Sequence, residues 1–523
     1  MTAERLLRTQ AVFVLVAAFV LLLPALLNGR PFVFPDTEHY YDIGEAAVGG
    51  LIGGAEPASA PMPEPVDGAG VPAPAPGETA GNAAATGGGG QLAMLAKSRS
   101  FVYSVLAYLS TLVSGFWPIL ILQAGLAAWL VGRTLSWLAP DMALKWRYAL
   151  VAALAILTPA GGFVGFVMPD VFAALLVLAA LNLLLDPALK WFETLLLMGI
   201  IAAGAIMHTT ILLLGVTLVL MCGVYKLVRH LPRLFDWSRV IMISGALASA
   251  IAVNSAYFTV AESLSGEKLG RPPFLLARVL ADGPGTKLLE RACAEDPAAY
   301  QACVFAGVDF DTQNEFLWSA GKGVLTLSIE EQFNLLDEET GFVLDTVASY
   351  PLQQFAVSTR NFVEQLGSIT MKHLRFGTPF IAASEQWGDI DTLANVSGGA
   401  ACAANIEACQ SRAAPIRLWI WLNLVTTALA CLAFTLIAAA WAHARLVAAP
   451  DIWKPHDQTL FICATLIVLV VANAGICGVL SGPHDRYQAR LIWVLPLFLA
   501  VLFPVWRQLP LWKRSVSVVK NGL

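Results

Sequence analysis

From Ala11 to Leu27 the chain reads AVFVLVAAFVLLLPALL, without one charged side chain. A helix of that length crosses most of the roughly 30 Å of hydrocarbon in a bilayer. Comparable runs recur to the end of the chain, and lipid admits only structures that satisfy their own backbone hydrogen bonds. The sequence therefore predicts an all-α polytopic membrane protein. Apolar runs place ten spans, at residues 10–28, 115–137, 147–166, 170–186, 190–207, 209–228, 240–260, 416–441, 459–480 and 489–507. Pro159, Gly161 and Gly162 interrupt the pattern, so 147–166 and 170–186 are the least regular of these. Composition agrees: 57% of the residues are hydrophobic and 13% charged, more apolar side chain than a soluble core needs. The net charge of −5 is thinly spread and points away from nucleic acid. Arg5 and Arg8 give the first run the look of a secretory leader. The segment at its end, LLNGRPF, has no small-x-small cleavage site, so the run reads as a retained first helix.

Positive charge sets the orientation. Arg5 and Arg8; Arg133, Lys145 and Arg147; Lys190; Lys226, Arg229, Arg233 and Arg239; Arg445 and Lys454; and Arg507, Lys513, Arg514 and Lys520 fall on alternate connections. The turns near Gly161–Pro169 and Met207–Thr209 carry no Lys or Arg. Both termini are thus expected in the cytoplasm, with the protein in the inner (plasma) membrane. Two longer segments then face the extracytoplasmic side. Residues 48–91 are Gly, Ala and Pro with a few acids and no base, a composition that predicts disorder. Residues 261–415 have mixed composition and read as a mainly helical domain between helices 7 and 8. Within it, TGFVLDTVASYPLQQFAVSTRNFVEQLG reads as two helices broken at Pro351. The expected organisation is 1–260, 261–415 and 416–523, with no internal repeat.

Cys222, Cys431, Cys463 and Cys477 sit in or at the end of spans and read as packing residues. The other cysteines lie in 261–415, where an oxidising compartment suggests two disulfides, most simply Cys293–Cys303 and Cys402–Cys409.

Ionisable side chains gather at one set of loops. Asp36, Glu38 and His39, beside Tyr40, come after the first span; Asp170 opens the fourth; His208 stands between the fifth and sixth; SGPHDRYQAR holds His484, Asp485, Arg486, Tyr487 and Arg490 before the last. On the ten-span arrangement all of these share the extracytoplasmic side. Each has a plain alternative. Asp36 and Asp170 come after prolines at helix starts and suit N-caps. His208 suits a helix end as well as a ligand, and HDRYQAR suits interfacial anchoring. Helix in 37–46 would put Asp36, His39 and Tyr40 on one face. Arg486 and Arg490 stand one turn apart, a spacing suited to phosphate oxygens.

FVFPDTEHYYDIG and FVMPDVFAALLVLAALNLLL, with the late external domain and the basic last loop, resemble the GT-C superfamily of membrane glycosyltransferases, including its mannosyltransferase-like members. The resemblance is clearest over residues 1–260. It implies an inverting transfer of a sugar from a polyprenyl-phosphate donor to an extracytoplasmic glycan, lipid or protein. It further implies that SRSFVYSVLAYLST, residues 98–111, forms an interfacial helix of the first loop. Asp36 or Glu38 would be the base, Arg486 and Arg490 would steady the phosphate, and Asp170 would support Asp36, orient the sugar or help hold a cation. His208, His484, Asp485, Tyr487, His39 and Tyr40 would contact substrate or its neighbours. Many members carry adjacent acids in the first loop; here Thr37 separates Asp36 from Glu38. Whether Asp36, Glu38 and Asp170 hold Mg²⁺ or Mn²⁺ stays open. The competing functions are a lipid or polysaccharide transporter or flippase, and a non-catalytic envelope assembly subunit. The near absence of charge from span centres argues against ion-coupled transport.

Overall fold

The computed structural model describes residues 3–29, 31–52, 93–228, 234–319, 321–371, 416–447 and 457–506. Among these the secondary structure is helical, with isolated bridges and no strand. The helices run α1 (Ala3–Asn28), α2 (Pro35–Ile52), α3 (Phe101–Ser114), α4 (Trp117–Leu138), α5 (Leu144–Leu157), α6 (Ala160–Val164), α7 (Phe172–Leu185), α8 (Trp191–Met207), α9 (Thr209–Leu227) and α10 (Trp237–Ser265). They continue as α11 (Phe274–Ala281), α12 (Pro284–Glu295), α13 (Gln313–Trp318), α14 (Ile329–Ser349), α15 (Pro351–Gly367), α16 (Ile416–Val447), α17 (Asp457–Gly475), α18 (Arg486–Ile492) and α19 (Val494–Trp506).

Seven segments are long and apolar enough to cross a membrane: Thr9–Asn28, Trp117–Leu138, Thr209–Leu227, Trp237–Ser265, Leu418–His443, Asp457–Ser481 and Arg486–Phe503. The chain is thus a polytopic helical membrane protein. The other expected spans are shorter. α5 stops at Leu157, where Thr158 takes an extended backbone and Pro159 precedes the five-residue α6. Pro169–Leu185 and Trp191–Met207 are apolar but below the length of the seven.

The chain divides into two compact units. The first comprises Met1–His39, Leu106–Tyr257 and Phe355–Leu523; the second comprises Tyr40–Val105 and Phe258–Gln354. In the first, α7 is buried at every one of its residues, including Asn182. Asn182 Nδ2 donates to Thr134 Oγ1 and its Oδ1 accepts from the Trp137 indole at 2.7 Å, so the one polar residue of α7 is satisfied. Past its C-terminus, Asp186 accepts from Arg133 Nε at 2.6 Å. Arg239 Nη1 donates to the carbonyls of Leu183, Leu184 and Asp186, groups that a helix end leaves open. Arg133 also reaches Glu193 at the start of α8, at 3.0 Å.

The second unit joins the first loop to the later segment, which sequence alone kept apart. Gly270 N donates to Ala93 O, Lys97 N donates to Gly270 O, and Lys97 pairs with Glu262 at 2.7 Å. Its core is built from Leu276, Leu280, Leu289, Phe305, Phe316 and Phe342. Cys293 and Cys303 are joined, as their spacing suggested; Cys402 and Cys409 lie outside the described residues, as does most of the 48–91 insert. The helix pair broken at Pro351 is present as α14 and α15. Residues 98–111 are largely helical, in α3.

α1 and α6 meet where a side chain has no room. A Cβ on Gly165 would lie 2.7 Å from Ala25 Cβ, and one on Gly161 would run into the Ala155 carbonyl. Gly161→Ala should cost about 1–3 kcal/mol, since backbone cannot swing aside as a side chain does. Thermal unfolding in detergent would read this as a lowered midpoint; an unchanged midpoint would contradict the close approach.

Candidate functional site

Two loops of the first unit are stapled together. Phe32 N donates to Gly165 O at 2.9 Å and Val167 N donates to Phe32 O at 2.8 Å, an isolated parallel bridge between Phe32 and Phe166. Thr37 Oγ1 donates to Val167 O at 3.1 Å. Gln123 Nε2 holds the second loop from α4 through the carbonyls of Val164 and Phe166. Phe34 meets Phe166 edge to face.

This bridge exposes a signal that sequence reasoning missed. Phe32-Val33-Phe34-Pro35-Asp36 and Phe166-Val167-Met168-Pro169-Asp170 share the pattern FVxPD, and the bridge pairs their first residues. The expectation of no internal repeat is corrected at this short scale. Each proline opens a helical turn and each aspartate stands second in it. Asp170 is therefore not an N-cap; Met168 holds that position in the turn, and Val171 holds it for α7.

Each aspartate meets one arginine of α18. Arg486 Nη2 donates to Asp36 Oδ2 at 3.1 Å, and Arg490 Nη1 donates to Asp170 Oδ1 at 3.2 Å. Sequence reasoning placed acids and arginines on one side of the membrane but did not pair them. The second pair is the drier: its side chains are 1% and 4% exposed, against 11% and 19% for the first. Arg490 Nη2 also donates to Thr210 Oγ1 at 2.7 Å and approaches Cys477 Sγ at 3.5 Å. Cys477, expected only to pack, thus joins a polar network.

His208 breaks α8 from α9 with extended backbone, and its Nδ1 accepts from the Thr210 amide at 3.2 Å. An accepting Nδ1 leaves the ring proton on Nε2. Thr210 Oγ1 lies 2.8 Å from the same nitrogen, which continues the chain Asp170–Arg490–Thr210–His208. The helix-end role of His208 is present, and it is tied to the acid–arginine network.

Arg486 lies 4.4 Å from the Phe34 ring centre and 5.2 Å from that of Tyr487, a contact that Tyr487 also makes with Arg490. Held there, Arg486 commits only Nη2. Its Nε and Nη1 are buried and have no acceptor among the described residues; for Arg490 only Nε is in that state. Burying such donors without a partner costs about 1–3 kcal/mol each, so they need an explanation.

The remaining candidates surround this network or fall away from it. His484 lies edge-on to Phe34 and beside Tyr487, with its backbone tied to Gln365. Asp485 caps α18 in position without a side-chain cap bond. His39 is half-buried one turn after Asp36 on α2. Tyr40 falls in the second unit, where its ring meets Tyr103 edge to face. The Glu38 side chain lies outside what is described. Residues that sequence reasoning did not single out are Thr37, Gln123, Thr210 and Phe34. Among the described residues no three His, Cys, Asp or Glu side chains converge as a metal group. Asp36 and Asp170 each already face a guanidinium, a poor fit to a divalent cation at these two carboxylates.

Searches against family models, curated proteins and solved structures return no match to this chain.

Removing Arg490 would strand the buried Asp170 carboxylate. Arg490→Met should destabilise the protein by about 3–5 kcal/mol, and adding Asp170→Leu should recover much of that loss. Unfolding midpoints of the single and double variants test this. Equal losses in both would mean that the pair is not the stabilising unit.

Proposed function

We propose that the protein is an inverting glycosyltransferase of the GT-C kind, moving a sugar from a polyprenyl phosphate to an extracytoplasmic acceptor in the cell envelope. The observation that carries this reading is Arg486, buried with two open donor nitrogens beside the Asp36 carboxylate. A carboxylate next to an unsatisfied cation is the pair that such a transfer needs. An acceptor hydroxyl oxygen attacks the anomeric carbon while Asp36, or Glu38 in its place, takes the proton. The bond from that carbon to the phosphate oxygen breaks from the opposite face, and the configuration inverts. The electron pair leaves with polyprenyl phosphate, and Arg486 steadies its growing charge.

Phosphate is a good leaving group, so one base suffices. No second carboxyl has to act as acid, which agrees with Asp170 being held by Arg490. Arg486 shares its charge with Asp36; a donor phosphate at Nε or Nη1 would divide that charge and leave the carboxylate the stronger base. On this reading the site faces the periplasm, both termini are cytoplasmic, and α5 with α6, α7 and α8 complete ten spans. The donor's hydrocarbon tail stays in the bilayer, which suits a site at the ends of spanning helices.

Binding of polyprenyl phosphate to purified protein tests the reading. Arg486→Ala should weaken it about 10–100-fold, the worth of about one charge-assisted hydrogen bond. Asp36→Asn should bind as well as wild type or better, since Arg486 is then unshared, yet transfer sugar about 10²–10⁴-fold more slowly if Asp36 is the base. Absence of saturable binding by folded wild type would sink the donor assignment.

A further inference from the structure

Helix α15 buries polar side chains and exposes apolar ones, the reverse of a helix bathed in water. Asn361 and Gln365 are 3% and 0% exposed, whereas Leu352, Phe355 and Val363 are 82%, 72% and 59% exposed. At about 100° per residue, Leu352, Phe355, Thr359, Val363 and Leu366 form one stripe along the helix. Gln353, Arg360 and Glu364, exposed as well, form a second stripe roughly a third of a turn away. The helix therefore has three faces: one packed on protein, one polar and one greasy. Two different outer faces side by side suit a boundary between water and oil.

What α15 packs on fixes its depth. From Phe355 onward it belongs to the first unit. Gln365 Nε2 donates to the His484 carbonyl at 3.0 Å, and its Oε1 accepts from the His484 amide at 2.7 Å. His484 lies in the short loop between the spanning segments Asp457–Ser481 and Arg486–Phe503. A Cβ on Gly478 would lie 2.7 Å from the Asn361 carbonyl oxygen, and one on Gly475 would lie 3.9 Å from the Phe362 ring. Only a residue without a side chain lets α15 backbone rest on Gly478. The C-terminal half of α15 thus sits on the last turns of a spanning segment, one or two turns, about 5–10 Å, from its end at Ser481.

We propose that α15 from Phe355 onward lies in the membrane interface, with Phe355, Val363 and Leu366 against phospholipid acyl chains and Arg360 and Glu364 toward headgroups and water. The occupant of the apolar stripe is lipid because the surface α15 rests on continues into the lipid-facing side of Asp457–Ser481, where Val468 and Val471 are exposed. Through Gln365 the helix anchors the backbone at His484, two residues ahead of Arg486, to the bilayer surface. Interfacial seating of α15 does not depend on whether the protein moves a sugar.

The test is photocrosslinking of the full chain in vesicles of phosphatidylethanolamine and phosphatidylglycerol. p-Benzoylphenylalanine replaces Phe355, Val363, Arg360 or Glu364 singly; all four are exposed, so the fold tolerates the change. Phospholipid adducts, read by mass spectrometry, are expected at 355 and 363 and at background at 360 and 364. Three outcomes would overturn the proposal: adducts at 355 and 363 to a second copy or to residues 372–415 of the same chain, equal lipid labelling at all four positions, or no adduct at any.

Discussion

Helix α7 meets protein on all sides, and that burial governs the rest of the first unit. A helix with no lipid or water to turn to must have its polar groups answered by neighbours. The aspartate before its start is answered by Arg490, the aspartate after its end by Arg133, and its last carbonyls by Arg239. Those arginines come from three different parts of the chain, α18, α4 and α10. Anchoring one short helix thus pulls the remote pieces of the bundle into register. The charges are not ornaments at the membrane edge; they satisfy the two ends of a buried rod.

That requirement also explains what composition could not show. α7 is as apolar as any span, and a leucine surrounded by leucines is no different by sequence from a leucine in lipid. Total burial could not be told from membrane exposure, and only length hinted at the difference. The long spans, the proline break between α14 and α15 and the Cys293–Cys303 pair were legible because each depends on local spacing. Pairing of Asp36 with Arg486 was not, because residues 450 positions apart leave no local trace of the contact. The repeat FVxPD was in plain view, yet five residues are too few to stand out without the bridge that aligns them. Nor did composition join the first loop to residues 258–354; backbone bonds at Gly270 do that, and they leave no mark on side-chain chemistry.

The two arginines of α18 illustrate how identical residues one turn apart take different work. Arg490 spends both terminal nitrogens, on Asp170, Thr210 and Cys477, in a place almost without solvent. Its charge is consumed by the fold, and a ligand would have to compete with a buried carboxylate for it. Arg486 spends one nitrogen and rests against Phe34, leaving two donors that folding alone does not answer. Proteins rarely bury such donors without return, because each costs a fair fraction of total stability. An anionic oxygen that met either of them would recover part of that cost on binding, beside Asp36, whose partner it would share. Stability and any affinity for an anion at Arg486 would therefore draw on the same unsatisfied groups, while at Arg490 they would not.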